Sequence, residues 1–231
     1  MYQLYIASKN YSSWSLRPWI LLKVLNIPFE EKLYLFEDDN HATFRQFSPT
    51  GKVPCLQADG LTIWDSLAIT EYVAEHYPAV WPDDKIARAW ARCATAEMHS
   101  GFATLRSMCS MNCSIQVQLH EVPDALQRDI VRIDGLWNEG LIRFGGPFLA
   151  GKQFSAVDAF FAPVAFRVAG YGLQVSDAGR AYVQRLLDLP AMQEWALAGQ
   201  QEPRHELHER DCLQYGSLIR DVRAAGQDTA Q

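Results

Sequence analysis

Asn10-Tyr11-Ser12-Ser13-Trp14-Ser15-Leu16-Arg17-Pro18-Trp19 lies just after a β-rich N-terminus, Tyr2 to Ala7, and just before the apolar residues Leu21, Leu22, Val24 and Leu25. Those four recur with helical spacing. Proline is tolerated in the first turn of a helix, because deeper in it removes a hydrogen bond and crowds a preceding carbonyl. Pro18 therefore predicts a helix that begins near Trp14 to Leu16, with Ser12 and Ser13 in the turn before it. Serines there either cap the helix or hold an anion, such as a thiolate, where backbone N–H groups and the helix dipole favour negative charge. On this segment alone both readings stand.

Working outward, Asn26-Ile27-Pro28 ends the helix, since Pro28 biases its neighbour towards extended geometry. Phe29 to Phe36 reads as a second strand, Glu37 to Asn40 as a polar turn and His41 to Phe47 as a short helix. After the loop Ser48 to Gly51, Val53 to Gln57 and Leu61 to Trp64 form a hairpin around Asp59-Gly60. Asp65-Ser66 opens a helix through His76. The order is βαβαββα within residues 1–77: a parallel crossover followed by an antiparallel pair. Residues 77–84, with Pro78 and Pro82, read as a linker. Helical patterns then run over 85–108, 123–144, 155–171, 177–187 and 191–198. Ser155-Ala156-Val157-Asp158 resembles a capping box with Asp in the third position. The expected fold class is therefore α/β plus all-α, with a helical domain over 85–210, a polar tail over 211–231 and disorder from Ala224 to Gln231.

The chain has 231 residues, 48% hydrophobic, with formal charge −6. It is long enough for a sizeable core. With no basic run, nucleic acid has little electrostatic support as a partner. No apolar stretch reaches membrane-spanning length, and the N-terminus lacks the pattern of a signal peptide. Five cysteines, an odd count without a secretion signal, point to reduced thiols in the cytoplasm.

A second signal is Gly51-Lys52-Val53-Pro54, followed eleven residues later by Asp65-Ser66. Pro54 is either a strand-entry proline or the second residue of a cis bond that turns the Val53 backbone towards an extended peptide. Asp65-Ser66 is either a helix cap or a grip on a ligand's carboxylate and ammonium. The order of serine turn, Val-Pro and Asp-Ser on a βαβαββα frame resembles the glutathione transferase superfamily. So does Trp64-Asp65-Ser66-Leu67-Ala68-Ile69. The resemblance covers nearly the whole chain: a thioredoxin-like N-terminal domain, a linker and an all-helical C-terminal domain.

Carried over residue by residue, the resemblance implies that Ser13 or Ser12 donates to the glutathione sulfur and favours thiolate. Counting back four residues from Arg17, as in delta and theta classes, selects Ser13. Aligning Ser12-Ser13-Trp14-Ser15 with the Ser-Ser-Cys-Ser of zeta enzymes selects Ser12. The Val53 backbone, next to Pro54, pairs with the cysteinyl portion, Asp65 and Ser66 take the γ-glutamyl end, and Lys52 approaches the glycyl carboxylate. Trp14 replaces the zeta-class cysteine, which weakens a maleylacetoacetate isomerase reading and removes thiol–disulfide exchange at this position. Glutathione is thus the expected co-substrate, with a small electrophile and no metal, and a homodimer is implied. The alternatives are a glutathione-dependent isomerase and a non-catalytic binding module.

The electrophile pocket is expected among Tyr11, Trp14, Met108, Met111, Arg167 and Tyr171, with ordinary packing as the alternative for each. Cys109 and Cys113 read as free thiols. His99 reads as a satisfied helix residue, and Glu97 as solvated or near the glutathione amine. His205, Glu206, His208 and Glu209 read as part of a solvated tail.

Overall fold

The computed structural model describes residues 1–37 and 39–223. Asp38, in the expected polar turn, and the stretch 224–231, read as disordered, lie outside the described residues. The N-terminal unit comprises β1 (Tyr2–Ala7), α1 (Ser13–Val24), β2 (Phe29–Tyr34), α2 (His41–Arg45), β3 (Cys55–Ala58), β4 (Leu61–Ile63) and α3 (Ser66–Ala74). Its sheet runs β2-β1-β3-β4. β1 is parallel to β2, as the intervening helix requires, and antiparallel to β3. This is the expected thioredoxin-like order.

Alternation in β1 feeds two cores. Leu4 and Ile6 point into the main core with Leu16, Ile20 and Ile69. Tyr5 and Ala7 point to the opposite face, where Phe44 and Phe47 close a smaller cluster, with Tyr5 stacked 4.4 Å from Phe47. Period-two burial on both faces of one strand explains why β1 is so rich in large residues. The β3–β4 hairpin turns at Asp59 (φ 52°) and Gly60 (φ 78°), the paired positive φ values of a type I′ turn.

After the linker come α4 (Lys85–Ser100), α5 (Ala103–Met108), β5 (Ile115–Leu119), α6 (Asp124–Phe144), α7 (Ala156–Tyr171), α8 (Asp177–Leu187), α9 (Pro190–Gln200), α10 (Glu206–Leu213) and β6 (Gly216–Asp221). α7 is buried on nearly every side, the pattern of a central core helix. It packs against α1, α4, α8 and β5, and so ties the two units together. The capping box at its start is present.

Four expectations shift. α1 starts at Ser13, so Pro18 sits in the second turn and leaves the Trp14 carbonyl without its usual amide partner. The helix expected over 85–108 breaks at Gly101-Phe102, where Phe102 is left-handed (φ 56°). The C-terminal region is not purely helical, because β5 and β6 pair antiparallel. Consequently the segment read as a polar tail holds α10 and β6 instead. β5 alternates buried Ile115, Val117 and Leu119 with exposed glutamines, a strand signature. Its partner is about a hundred residues away and carries little apolar patterning.

Candidate functional site

The turn Ser8 to Ser12 is clamped by the second unit. The Lys9 and Asn10 amides donate to the Glu202 carboxylate at 2.8 and 3.1 Å. The Asn10 side-chain oxygen accepts from the Cys113 amide (3.0 Å) and the Ser114 hydroxyl (2.8 Å). Gly199 of α9 lies so close that a Cβ there would stand 2.8 Å from the Asn10 nitrogen. Within the turn, the Ser12 amide donates to the Ser8 carbonyl and the Ser13 amide to the Tyr11 carbonyl, both at 2.9 Å.

The two serines, similarly buried, differ in what their hydroxyls do. Ser12 occupies the cap position of α1 but makes no capping bond. Its hydroxyl donates to Ser15 Oγ at 2.7 Å, and Ser15 Oγ also accepts from the Ala7 amide. The Ser12 proton is therefore directed inward. Ser13 Oγ accepts from Arg167 Nη2 at 3.3 Å. It donates to no protein acceptor among the described residues, so its proton remains available.

Two cavities meet beside these serines. One, of about 360 Å³, is bordered by Tyr11, Ser12, Ser13, Trp14, Phe36, Phe44 and His208, among others. Its neighbour, of about 460 Å³, is bordered by Trp14, Thr50, Lys52, Val53, Pro54, Trp64, Asp65 and His99. Trp14, Lys52 and Val53 belong to both walls. The Val53–Pro54 bond is cis, as is Trp64–Asp65. The Val53 amide and carbonyl take no partner among the described residues, leaving an exposed edge for an extended ligand. A separate groove of about 480 Å³, between the linker and Ala150 to Ser155, contains no comparable grouping.

Asp65 caps α3 by accepting from the Leu67 amide at 3.0 Å. Its other oxygen lies 3.2 Å from His99 Nε2. Burial lowers the His99 pKa, with Asp65 opposing and Arg17 reinforcing the effect, so the ring is neutral at pH 7. The hydroxyl of fully buried Ser66 has no partner among the described residues. Arg17 lies between the Trp14 and Phe160 rings, at 4.1 and 4.9 Å. It forms no ion pair among the described residues, and its Nε and Nη1 are unpartnered. Burial, then Arg167 and Arg106, hold its pKa well below the usual arginine value.

The expected pocket residues separate into two groups. Tyr11 and Trp14 border the cavities; Met108, Met111, Arg167 and Tyr171 are buried outside both walls. Tyr171 donates to the carbonyls of Ser110 and Cys212, and the methionines join the main core. Glu97 is held by both arms of Arg132, at 2.6 and 2.8 Å. Cys109 and Cys113 are free thiols.

The segment read as tail closes the smaller cavity. Tyr11 donates to the Glu209 carboxylate, which Arg223 grips bidentately at 2.7 and 2.9 Å. His208 stacks on Tyr11 and Phe36, with centroids 4.9 and 4.5 Å away. Its Nδ1 lies 2.8 Å from that of His205. The α10 side chains reach Phe36 from about 170 positions away in the chain, so no local signal announces them. His99 did carry a local signal, in the last turn of a helix that starts just after the linker.

A thioredoxin-like unit with a cis-proline beside a serine-bearing helix start is joined to a largely helical region. Residues 11–76 match the glutathione S-transferase N-terminal domain family. Maleylacetoacetate isomerase of Rattus norvegicus is 30% identical over 167 residues, covering 69% of this chain and 74% of that protein. Glutathione S-transferase-like protein OpS6 of Beauveria bassiana is 26% identical over 171 residues, 70% of this chain and 76% of that one. A Burkholderia glutathione transferase homologue solved with bound glutathione superposes with TM-score 0.66 at 25% identity, over 87% of this chain and 99% of that one. An epsilon-class enzyme of Musca domestica gives 0.67 at 22% over 93% and 97%, a likeness of fold. The chain belongs to the glutathione S-transferase superfamily.

Proposed function

We propose that the protein is a glutathione transferase that binds glutathione in the larger cavity and presents its thiolate, beside Ser13, to an electrophile in the smaller one. The observation that carries this reading is the shared wall: Trp14, Lys52 and Val53 border both cavities, and Ser13 opens next to Trp14. A free thiol of this type ionises near about 8.5. Lowering that by one or two stabilises thiolate by about 1.4–2.7 kcal/mol, within reach of one charge-assisted hydrogen bond plus the helix dipole. The unpartnered Val53 backbone suits the cysteinyl residue. Asp65 and the free Ser66 hydroxyl suit the γ-glutamyl end, and Lys52 suits the glycyl carboxylate.

Tyr11, Trp14, Phe36 and Phe44 make the electrophile side largely aromatic, which favours a small apolar acceptor held by juxtaposition with the sulfur. The proposal includes a cytoplasmic homodimer, in keeping with free thiols and with exposed Leu61, Ile86 and Val131; light scattering tests the dimer. Calorimetry with glutathione, then ultraviolet titration of the bound thiol, tests the site. No binding, or a bound thiol that ionises as it does in water, overturns it.

A second reading, a glutathione-dependent isomerase, is favoured by the similarity to maleylacetoacetate isomerases. Conjugation consumes glutathione and isomerisation regenerates it, so a glutathione balance during turnover separates the two.

A further inference from the structure

We infer that Arg167 is a positioning residue for the thiolate, orienting the Ser13 hydroxyl through Nη2 and setting an unpaired positive charge behind it. The inference rests on the proposed role of Ser13 and deepens it.

Arg167 stands on α7, 154 positions along the chain from Ser13. Its guanidinium is fixed by neutral acceptors: Nε donates to the Cys109 carbonyl at 2.8 Å and Nη1 to the Pro163 carbonyl at 3.3 Å. With the plane so pinned, the third contact, Nη2 to Ser13 Oγ, has a set direction. A hydroxyl that accepts from one side turns its own proton elsewhere. Among the described residues no other acceptor is in reach, and the smaller cavity opens there.

The charge balance is equally pointed. Buried arginines are normally paired with carboxylates, because an isolated buried charge is costly. Arg167 is almost fully buried and forms no ion pair among the described residues. Burial draws its pKa down to about 10, so it remains charged at neutral pH. The titratable groups around it do not neutralise it. Burial pushes the Cys109 thiol up to about 12 and the Cys212 thiol to about 11. The Tyr171 phenol is raised by burial as well, and Arg106 and Arg17 bring no negative charge. The available counter-charge is one that arrives with a ligand, and a thiolate accepting from Ser13 is the anion this geometry receives.

The test is the pKa of glutathione bound to the full-length protein, read from thiolate absorbance against pH. R167M is expected to raise it by about one, a roughly tenfold smaller thiolate fraction at neutral pH, with KM for glutathione within about twofold. R167K, which keeps the charge, is expected to recover most of the loss. In an S13A background, R167M is expected to add clearly less than it does with Ser13 present, because the orienting part of its effect passes through the hydroxyl. A folded R167M with an unmoved thiol overturns the inference, and so does an equal shift with and without Ser13. Should loss of both carbonyl contacts prevent R167M from folding, R167Q retains an amide donor without the charge and is read by the same criterion. A thiol unmoved by S13A itself overturns the underlying reading of Ser13, an outcome distinct from either of these.

Discussion

At the start of α7, Ser155 and Asp158 close on each other. At the start of α1, Ser12 and Ser13 leave the helix end uncapped by side chains. The Asp158 carboxylate accepts from the amides of Ser155 and Leu149, each at 3.0 Å, and from the Tyr182 hydroxyl at 2.9 Å. Both carboxylate oxygens and the Ser155 hydroxyl thus have partners within the chain. At α1, one hydroxyl is engaged inward and the other has a proton to give. Both helices have a serine in the cap position, yet the two starts serve different ends, because α7 is sealed in the core and α1 opens on a cavity. A helix start that satisfies itself is structure, and one that leaves a donor unused at a cavity is a place for a ligand.

The sharpest way to break this contrast is D158A. It leaves buried donors from Ser155, Leu149 and Tyr182 unpaired, and at about 1 kcal/mol or more each the expected loss is about 3 kcal/mol in denaturant unfolding. The pKa of bound glutathione should not move. Burial raises the Asp158 carboxyl from 3.8 to about 6, against the pull of its hydrogen bonds. The fold therefore favours the protonated form. Its contribution is full below 3.8 and is lost as pH rises through about 6. The stability deficit of D158N, which mimics the neutral carboxyl, should accordingly shrink between pH 4 and pH 8. A deficit that grows over that range would show the ionised carboxylate to be the stabilising form.

S13A should do the reverse. We expect kcat/KM to fall about 100-fold, equivalent to about 2.7 kcal/mol, and unfolding stability to fall by only about 1 kcal/mol, since Arg167 Nη2 loses one acceptor while the guanidinium keeps its two carbonyls. Loss of stability without loss of rate would make Ser13 a structural serine like Ser155.

How much of this contrast is legible in the chain follows from how local each signal is. The order β1-α1-β2 and the β3–β4 hairpin were readable because Pro28, Asp59-Gly60 and Asp65-Ser66 mark their ends. Ser155 and Asp158 were readable as a box because both partners lie within four residues. The decisive difference at α1 was not readable: Ser12 and Ser15 are near neighbours, but Arg167 reaches Ser13 from 154 positions away. Pro18 misled slightly, by suggesting a later helix start than the structure adopts. The charged stretch after Gly199 looked solvated because its partners, Tyr11, Phe36 and β5, are all remote in sequence. Met108 and Met111 have pocket-like chemistry and core positions, and composition cannot distinguish those.

That remote stretch gives the third test. Burial raises the Glu209 carboxyl, but hydrogen bonds from Arg223 and Tyr11 outweigh it and hold the pKa below 4.5. The stabilisation is therefore present above 4.5 and lost as pH falls below it. E209Q removes the charge while Arg223 keeps Asp221, so about 2 kcal/mol is expected, less than for a buried pair stripped of its only partner. Because α10 carries His208 over the smaller cavity, KM for the electrophile should rise several-fold while KM for glutathione holds. Equal changes in both would mean that α10 supports the whole site.

The finest test separates the two serines of α1. In S12A the Ser15 hydroxyl loses one donor but still accepts from the Ala7 amide, so about 1 kcal/mol of stability should go. The rate should change by no more than about threefold, since the proton removed points away from the cavity. Motif alignment alone would rank Ser12 with Ser13, and the hydrogen bonds rank it below. If S12A raises the pKa of bound glutathione as far as S13A does, the proton of Ser12 must turn outward when the ligand binds. The functional hydroxyl would then be the one in the cap position, and the contrast with Ser155 would be sharper still.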